Sequence, residues 1–76
     1  MKYINKHTTF KEMCIELLSE KGDAEYIDIE VYSLSKGEAV NSIKLSNEMD
    51  IPSNLEDKII IDYDFRGIFS HNIIYI

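Results

Sequence analysis

The sequence has little of what small proteins use for covalent cross-linking or for chemistry. Its 76 residues include one cysteine, Cys14, one proline, three glycines and no tryptophan. A single cysteine excludes an internal disulfide framework, and three isolated glycines do not form a phosphate-binding loop. The apolar runs, such as Ile59–Ile61, are far shorter than a membrane span, and no signal-peptide pattern is present. We therefore expect one soluble, cytoplasmic domain over residues 1–76, with a small core and no contact with membranes.

Charge is distributed unevenly along the chain, whose net charge is −6. Residues 1–21 carry four lysines against three glutamates, a net +1, whereas residues 22–76 carry three lysines and one arginine against eleven acids, a net −7. An acidic field repels phosphates and speeds encounter with basic partners. The charge therefore disfavours direct binding of nucleic acid and favours a basic protein partner. The simpler interpretation is that it only keeps a small apolar sheet soluble.

The first half of the sequence carries two periodic patterns. Thr9, followed three residues later by Glu12, is a capping box, and apolar residues at helical spacing after it predict a helix that ends near Gly22. From residue 25 to residue 32 the period changes to two, which predicts a half-buried strand. A turn and the segment Ala39–Leu45 then supply the returning strand of a hairpin.

The segment between this hairpin and the C-terminal strands is a polar connection, residues 46–57, broken by Pro52. Because the residue before a proline disfavours helix, we expect Ile51 to be extended. One short turn over residues 53–57 is compatible with the sequence.

The last quarter of the sequence predicts a second hairpin, since two arms rich in Ile, Tyr and Phe flank Phe65-Arg66-Gly67. A three-residue loop pairs Asp64 with Ile68 and Tyr63 with Phe69. A two-residue loop would instead place Asp62 and Asp64 on the same face as His71. Burial favours the three-residue loop because it separates apolar from polar residues more cleanly. That register turns seven residues inward: Ile59, Ile61, Tyr63, Phe69, His71, Ile73 and Tyr75.

Together these elements predict an α+β fold in which one N-terminal helix packs on a four- or five-stranded antiparallel sheet. The fifth strand would come from Tyr3 and Ile4. The predicted core consists of the helix stripe and the inward strand residues, namely Phe10, Met13, Leu17, Leu18, Ile27, Ile29, Val31, Ile43, Leu45, Ile59, Ile61, Phe69 and Ile73.

The only constellation suited to catalysis or metal binding is the pair Asp62 and Asp64, about 6.8 Å apart along a strand, with His71 as a third ligand. The preferred register sends His71 to the opposite face. Cys14 lies on the apolar stripe of the helix, where burial raises a thiol's pKa and makes it unreactive. We therefore predict no enzyme activity, no catalytic residue, no metal site and no cofactor.

The outward acids are the candidate partner-binding residues. Successive residues on one face of a strand repeat at roughly 6.6 to 6.8 Å, close to the interval between neighbouring phosphates of a nucleic acid strand. Alternating acids can therefore mimic DNA and occupy a basic groove, and nearby tyrosines suit a protein interface. The predicted binding residues are Asp28, Glu30, Asp62, Asp64, Tyr26 and Tyr32.

In size and in its heavy use of Ile, Lys and Asn, the chain resembles small inhibitors encoded by phages and other mobile elements, including anti-CRISPR and anti-restriction proteins. The resemblance implies a non-enzymatic inhibitor, and it carries no motif that assigns residues. The alternative is a homo-oligomeric interaction or assembly module. In that hypothesis the outward residues Ile60, Ile74 and Ile76, together with the unpaired edge of the last strand, pair with a second copy or with a partner's edge.

Overall fold

The computed structural model describes residues 8–67 and 69–76 and has the predicted α+β composition, with one helix and a four-stranded sheet. The predicted strand through Tyr3 and Ile4 lies outside the described residues. The elements are helix α1 (Phe10–Glu20), strand β1 (Ile27–Ser33), strand β2 (Glu38–Leu45), a 3-10 helix (Glu48–Asp50), strand β3 (Asp62–Asp64) and strand β4 (Asn72–Tyr75).

Helix α1 begins at the predicted capping box. Thr9 Oγ1 accepts the Glu12 N–H at 3.2 Å, and Glu12 Oε1 accepts the Thr9 N–H at 2.9 Å. Both bonds satisfy donors that a helix N-terminus otherwise leaves unpaired. The helix ends before Gly22, whose φ of +58° lies in the left-handed region that glycine adopts without strain. The predicted helix is therefore confirmed at both ends.

Strands β1 and β2 form the predicted hairpin. Ile27, Ile29 and Val31 are buried and alternate with half-buried residues, while Ile43 and Leu45 of β2 are buried beside them. The two strands pair antiparallel, with a register shift after Val31. Residues 8–45 thus follow the local patterns of their sequence.

The sheet is mixed, so the prediction of an antiparallel sheet is wrong. The strand order is β2-β1-β4-β3, and β4 runs parallel to β1 while β3 runs antiparallel to β4. The parallel pair sets Glu30 beside Ile73 and Tyr32 beside Tyr75. Local patterns predict hairpins between consecutive strands, but they carry no signal for a pairing between segments 43 residues apart. In this topology β1 is an interior strand between β2 and β4.

The predicted register of the C-terminal hairpin is also wrong. Asp64 pairs with Ile73 and Tyr63 with Ile74, so the connection runs over residues 65–71 instead of three residues. Relative to the predicted register, β4 is shifted by an odd number of residues. Because side chains alternate between the two faces of a strand, the shift exchanges the inner and outer residues of β4. Phe69 now lies in the connection and is 94% exposed, whereas Ile74 of β4 is 1% exposed.

The segment before β3 differs from the prediction in the same way. Ile59 and Ile61, predicted to be inward, are 48% and 59% exposed, whereas Ile60 is 2% exposed. Ile60 N–H donates to Thr8 O at 3.0 Å, and Ile59 forms an antiparallel bridge with Thr9. The segment leading into α1 thus selects which isoleucine of this run enters the core.

The connection between β2 and β3 contributes to the core, which the sequence patterns did not predict. Ile51 is extended as expected, with φ −75° and ψ 119°, and both Ile51 and Leu55 are buried. Cys14 of α1 is fully buried in the same core, and this burial raises the pKa of its thiol to about 12. The buried hydrophobic residues are Phe10, Met13, Cys14, Leu17, Ile27, Ile29, Val31, Ile43, Leu45, Ile51, Leu55, Ile60 and Ile74.

Candidate partner-binding face

The structure brings all four predicted acids to one face of the sheet, the outer face that lies opposite α1. Asp28 and Glu30 alternate with the buried residues of β1, and Asp62 and Asp64 occupy the outer positions of β3. We call these four residues the acidic face. The alternation of buried and outward residues along β1 was predicted from the sequence. The pairing of β4 with both β1 and β3 places the two acid pairs on the same side of the sheet.

Strand β4 separates the two acid pairs. Ile73 is the direct neighbour of Glu30 on one side and of Asp64 on the other. Because neighbouring strands lie about 4.8 Å apart, these two carboxylates stand on strands roughly 10 Å apart. Tyr75 separates Tyr32 from Asp62 in the same way. The surface is therefore two short acidic rows on either side of a central row of aromatic and aliphatic side chains.

His71 lies on the acidic face, contrary to the prediction that it points inward. Its Nε2 is 3.2 Å from Glu30 Oε1, and its Nδ1 is 4.0 Å from Asp28 Oδ2. The two ring nitrogens point to different carboxylates, so the three side chains do not converge on one ion. Among residues 8–67 and 69–76, no group of three or more His, Cys, Asp or Glu side chains is arranged to hold a metal.

Two cations of the chain also lie at this face. Arg66 Nε is 3.0 Å from Asp64 Oδ2, so part of the Asp64 charge is offset within the protein. Lys44 Nζ lies 5.0 Å from the centre of the Tyr26 ring, a cation–π distance. Within the described residues no cation contacts Asp62, which is exposed and accepts the Tyr63 N–H at 2.8 Å. Among the described residues, Asp62 is therefore the one carboxylate of the face without a Lys, Arg or His nitrogen within 4.0 Å.

The two predicted tyrosines have different environments. Tyr32 is half-buried and packs edge-to-face on Tyr75, with ring centres 5.8 Å apart. Tyr26 is more exposed and lies at the end of the face, under Lys44. Tyr32 thus lies in the β1 row and packs on Tyr75 of the central row, whereas Tyr26 borders a cleft.

A cleft of about 350 Å³ opens at this end of the acidic face. Tyr26 and Asp28 form one side, and Phe69 and His71 form the other. We call this the aromatic cleft. Phe69 was predicted to be a core residue, and its exposure is the main feature of the face that the sequence analysis missed.

The loop that presents Phe69 is fixed by the buried side chain of Asn72. Asn72 Oδ1 accepts the N–H groups of Arg66 and Gly67 at 2.7 and 3.3 Å. Its Nδ2 lies 3.2 Å from Asp28 O, 3.0 Å from Gly67 O and 3.1 Å from Ser70 O. Asn side chains often bond nearby backbone groups in loops, and this tendency could have indicated the role of Asn72. The predicted hairpin register instead placed Asn72 on the outer face.

The apolar edge predicted for self-association is absent from the described structure. Ile60 and Ile74 are buried, and β4 is an interior strand between β1 and β3. The Ile76 N–H donates to Tyr32 O at 2.9 Å, which continues the pairing with β1. Strand β4 therefore has no free edge for pairing with a second copy.

Comparisons of the chain with protein-family models, curated proteins and solved structures find no match. Across residues 8–67 and 69–76, no helix has both the length and the apolar character needed to span a membrane.

Proposed function

We propose that this protein is a small, non-enzymatic binding protein whose acidic face occupies a basic, nucleic-acid-binding surface of another protein. The observation that carries the proposal is the placement of Asp28, Glu30, Asp62 and Asp64 on one face of the sheet. The biological setting proposed is the cytoplasm, as an inhibitor of the anti-CRISPR or anti-restriction kind encoded by phages and mobile elements.

The spacing within each acidic row supports this partner class. Asp28 and Glu30 repeat on one face of β1, as do Asp62 and Asp64 on β3, and residues two apart on a strand lie roughly 6.8 Å apart. A groove that binds consecutive phosphates presents cations at a similar interval, so it can accept either row. Charge complementarity of this kind mainly raises the association rate and selects the partner.

The central row and the aromatic cleft supply the apolar contact area that an interface of charges lacks. Ile73 and Tyr75 lie between the acid rows, and Phe69 projects beside Tyr26 and Asp28. Exposed aromatic side chains carry much of the energy of protein interfaces, and they also stack on arginine. The face thus matches a partner surface rich in arginine with apolar side chains between the cations.

The test is affinity capture from a host lysate with a matched pair of charge reversals. The variant Asp28→Lys/Asp62→Lys reverses two acids of the face, whereas Asp23→Lys/Glu48→Lys reverses two exposed acids outside it. We expect the wild type and the second variant to capture the same basic protein, in competition with duplex DNA, and the first variant to lose it. Equal capture by both variants, or capture that duplex DNA does not compete with, would refute the proposal.

Self-association is the alternative proposal, and light scattering at micromolar concentration separates the two. A monomer whose capture of the partner weakens with salt agrees with the acidic-face hypothesis. A dimer that persists in high salt, together with no captured partner, favours an assembly module.

A further inference from the structure

The lining of the aromatic cleft combines aromatic rings with carboxylates. The residues that line it are Glu25, Tyr26, Asp28, Phe69, Ser70 and His71. None of the six is aliphatic, and none is a lysine or an arginine. The volume of about 350 Å³ is near the lower end of the range of about 300 to 1,000 Å³ found for small-molecule sites. The cleft is therefore suited to a ligand of the size of one side chain.

The two largest rings of the cleft are accessible to a ligand. Phe69 is 94% exposed and Tyr26 is 39% exposed. The loop that carries Phe69 is held by the bonds of Asn72 and by the Ser70 N–H, which donates to Gly67 O at 3.1 Å. Phe69 therefore lies outside the core on a hydrogen-bonded loop, where its ring can contact a bound group.

Both kinds of lining group attract a cation. The face of an aromatic ring carries partial negative charge, and the carboxylates of Glu25 and Asp28 add full negative charges beside the rings. The protein itself provides an example, since Lys44 Nζ lies 5.0 Å from the centre of the Tyr26 ring although Lys44 does not line the cleft. The same lining repels an anion and offers no aliphatic surface to an alkyl chain.

A guanidinium group fits this lining better than an ammonium group. It is planar and weakly hydrated, so it stacks on aromatic rings, and it can donate two parallel hydrogen bonds to one carboxylate. We propose that the aromatic cleft binds the guanidinium group of an arginine side chain, which contacts Tyr26 and Phe69 and donates to the carboxylate of Asp28 or Glu25. The inference rests on the proposed function in one respect, namely that this arginine belongs to the basic partner of the acidic face.

The first test uses small probes and needs no partner. The full chain is titrated with N-acetyl-L-argininamide, and binding is followed by amide chemical shifts. We expect saturable shifts confined to residues 25–28 and 69–71. N-acetyl-L-citrullinamide has nearly the same shape without the charge and should give no saturable shifts. N-acetyl-L-lysinamide has the charge without the planar group and should bind about fivefold more weakly than the arginine probe.

The second test uses matched variants of the chain. Glu25→Gln/Phe69→Leu should bind the arginine probe about tenfold more weakly, because it removes one carboxylate and one ring from the cleft. The control Glu48→Gln/Met49→Leu removes the same charge and changes a side chain that is 93% exposed outside the cleft. It should bind within about twofold of the wild type. Thermal unfolding checks that both variants are folded.

A third variant tests the role of the protein's own cation. Lys44→Gln removes the ammonium group from the Tyr26 ring, so the arginine probe should bind about twofold more tightly than to the wild type. Weaker binding to Lys44→Gln would contradict a cation site at this ring.

Capture of the partner separates failure of this inference from failure of the proposed function. The guanidinium site is wrong if the arginine probe gives no saturable shifts, if either other probe binds as tightly, or if Glu25→Gln/Phe69→Leu binds like the wild type. These outcomes leave the capture test of the acidic face unaffected. If the arginine probe binds as expected but no basic protein is captured from the lysate, the proposed function is wrong and the guanidinium site stands. Equal capture of a basic partner by Glu25→Gln/Phe69→Leu and its control would overturn the assignment of the arginine to that partner.

Discussion

The two halves of this protein are specified by different kinds of interaction. Residues 8–45 form α1, β1 and β2 from signals within a few positions of each other, such as the Thr9 and Glu12 capping box. Residues 46–76 adopt their structure through contacts with distant parts of the chain, such as the parallel pairing of β4 with β1. Contacts of the second kind assemble the acidic face, since β4 joins the two acid rows.

The largest expected effect tests the register of β4 directly. Ile74→Ala should lower the free energy of unfolding by about 2–5 kcal/mol because Ile74 is buried in the core. Ile73→Ala should cost about 1 kcal/mol, since Ile73 is only half-buried on the outer face. Urea denaturation measures both, and Ile29→Ala in β1 provides the reference for the first half. A larger loss for Ile73→Ala than for Ile74→Ala would restore the three-residue hairpin and contradict the structure.

The next effect tests the side chain that fixes the loop of the second half. Asn72→Ala should lower the free energy of unfolding by about 2–3 kcal/mol, because it leaves the Arg66 and Gly67 N–H groups without their acceptor. Asn41→Ala is the matched control, since the Asn41 side chain bonds only the adjacent Ser42 N–H among described residues. Equal unfolding midpoints for the two variants would show that Asn72 does not organise the loop.

The features that the sequence predicted lie mainly in residues 8–45, and those that it did not predict lie mainly in residues 46–76. The alternation around Ile29 predicted that Asp28 and Glu30 point outward. When one face of a strand is buried, the residues between the buried ones must lie on the other face. The outward placement of Asp62 and Asp64 was also predicted, although their partners were not. Phe69 and Asn72 were misplaced because a glycine between two apolar arms suggests a tight turn. The longer loop is decided by hydrogen bonds from one asparagine to positions that local patterns do not connect.

A smaller effect tests the locally encoded half. Thr9→Ala should cost about 1 kcal/mol, because it removes the oxygen that accepts the Glu12 N–H. Thr9→Ser keeps that oxygen and should retain most of the stability. The two variants are compared by thermal unfolding. If Thr9→Ser were as unstable as Thr9→Ala, the capping bond would not be the cause.

The smallest effect concerns the connection between the halves. Hydrogen bonds from the Ser46 hydroxyl, the Ser46 N–H and the Asn47 N–H hold the pKa of Asp50 below its ordinary value of 3.8. A lowered folded-state pKa stabilises the protein above 3.8, and this contribution is lost as the pH falls through the folded-state value. Asp50→Asn should therefore lower the melting temperature at pH 6, and the difference from wild type should disappear at low pH. Glu48→Gln is the control, and a difference that persists unchanged at low pH would contradict this explanation.

The central claim is that β4 lies parallel to β1 and so places both acid rows on one face. Nuclear Overhauser contacts between aromatic rings test it most directly, since the Tyr32 and Tyr75 rings have centres 5.8 Å apart. We predict contacts between Tyr32 and Tyr75 and none between Tyr63 and Phe69. Contacts between Tyr63 and Phe69, with none between Tyr32 and Tyr75, would show the tight hairpin instead and would remove the basis for the acidic face.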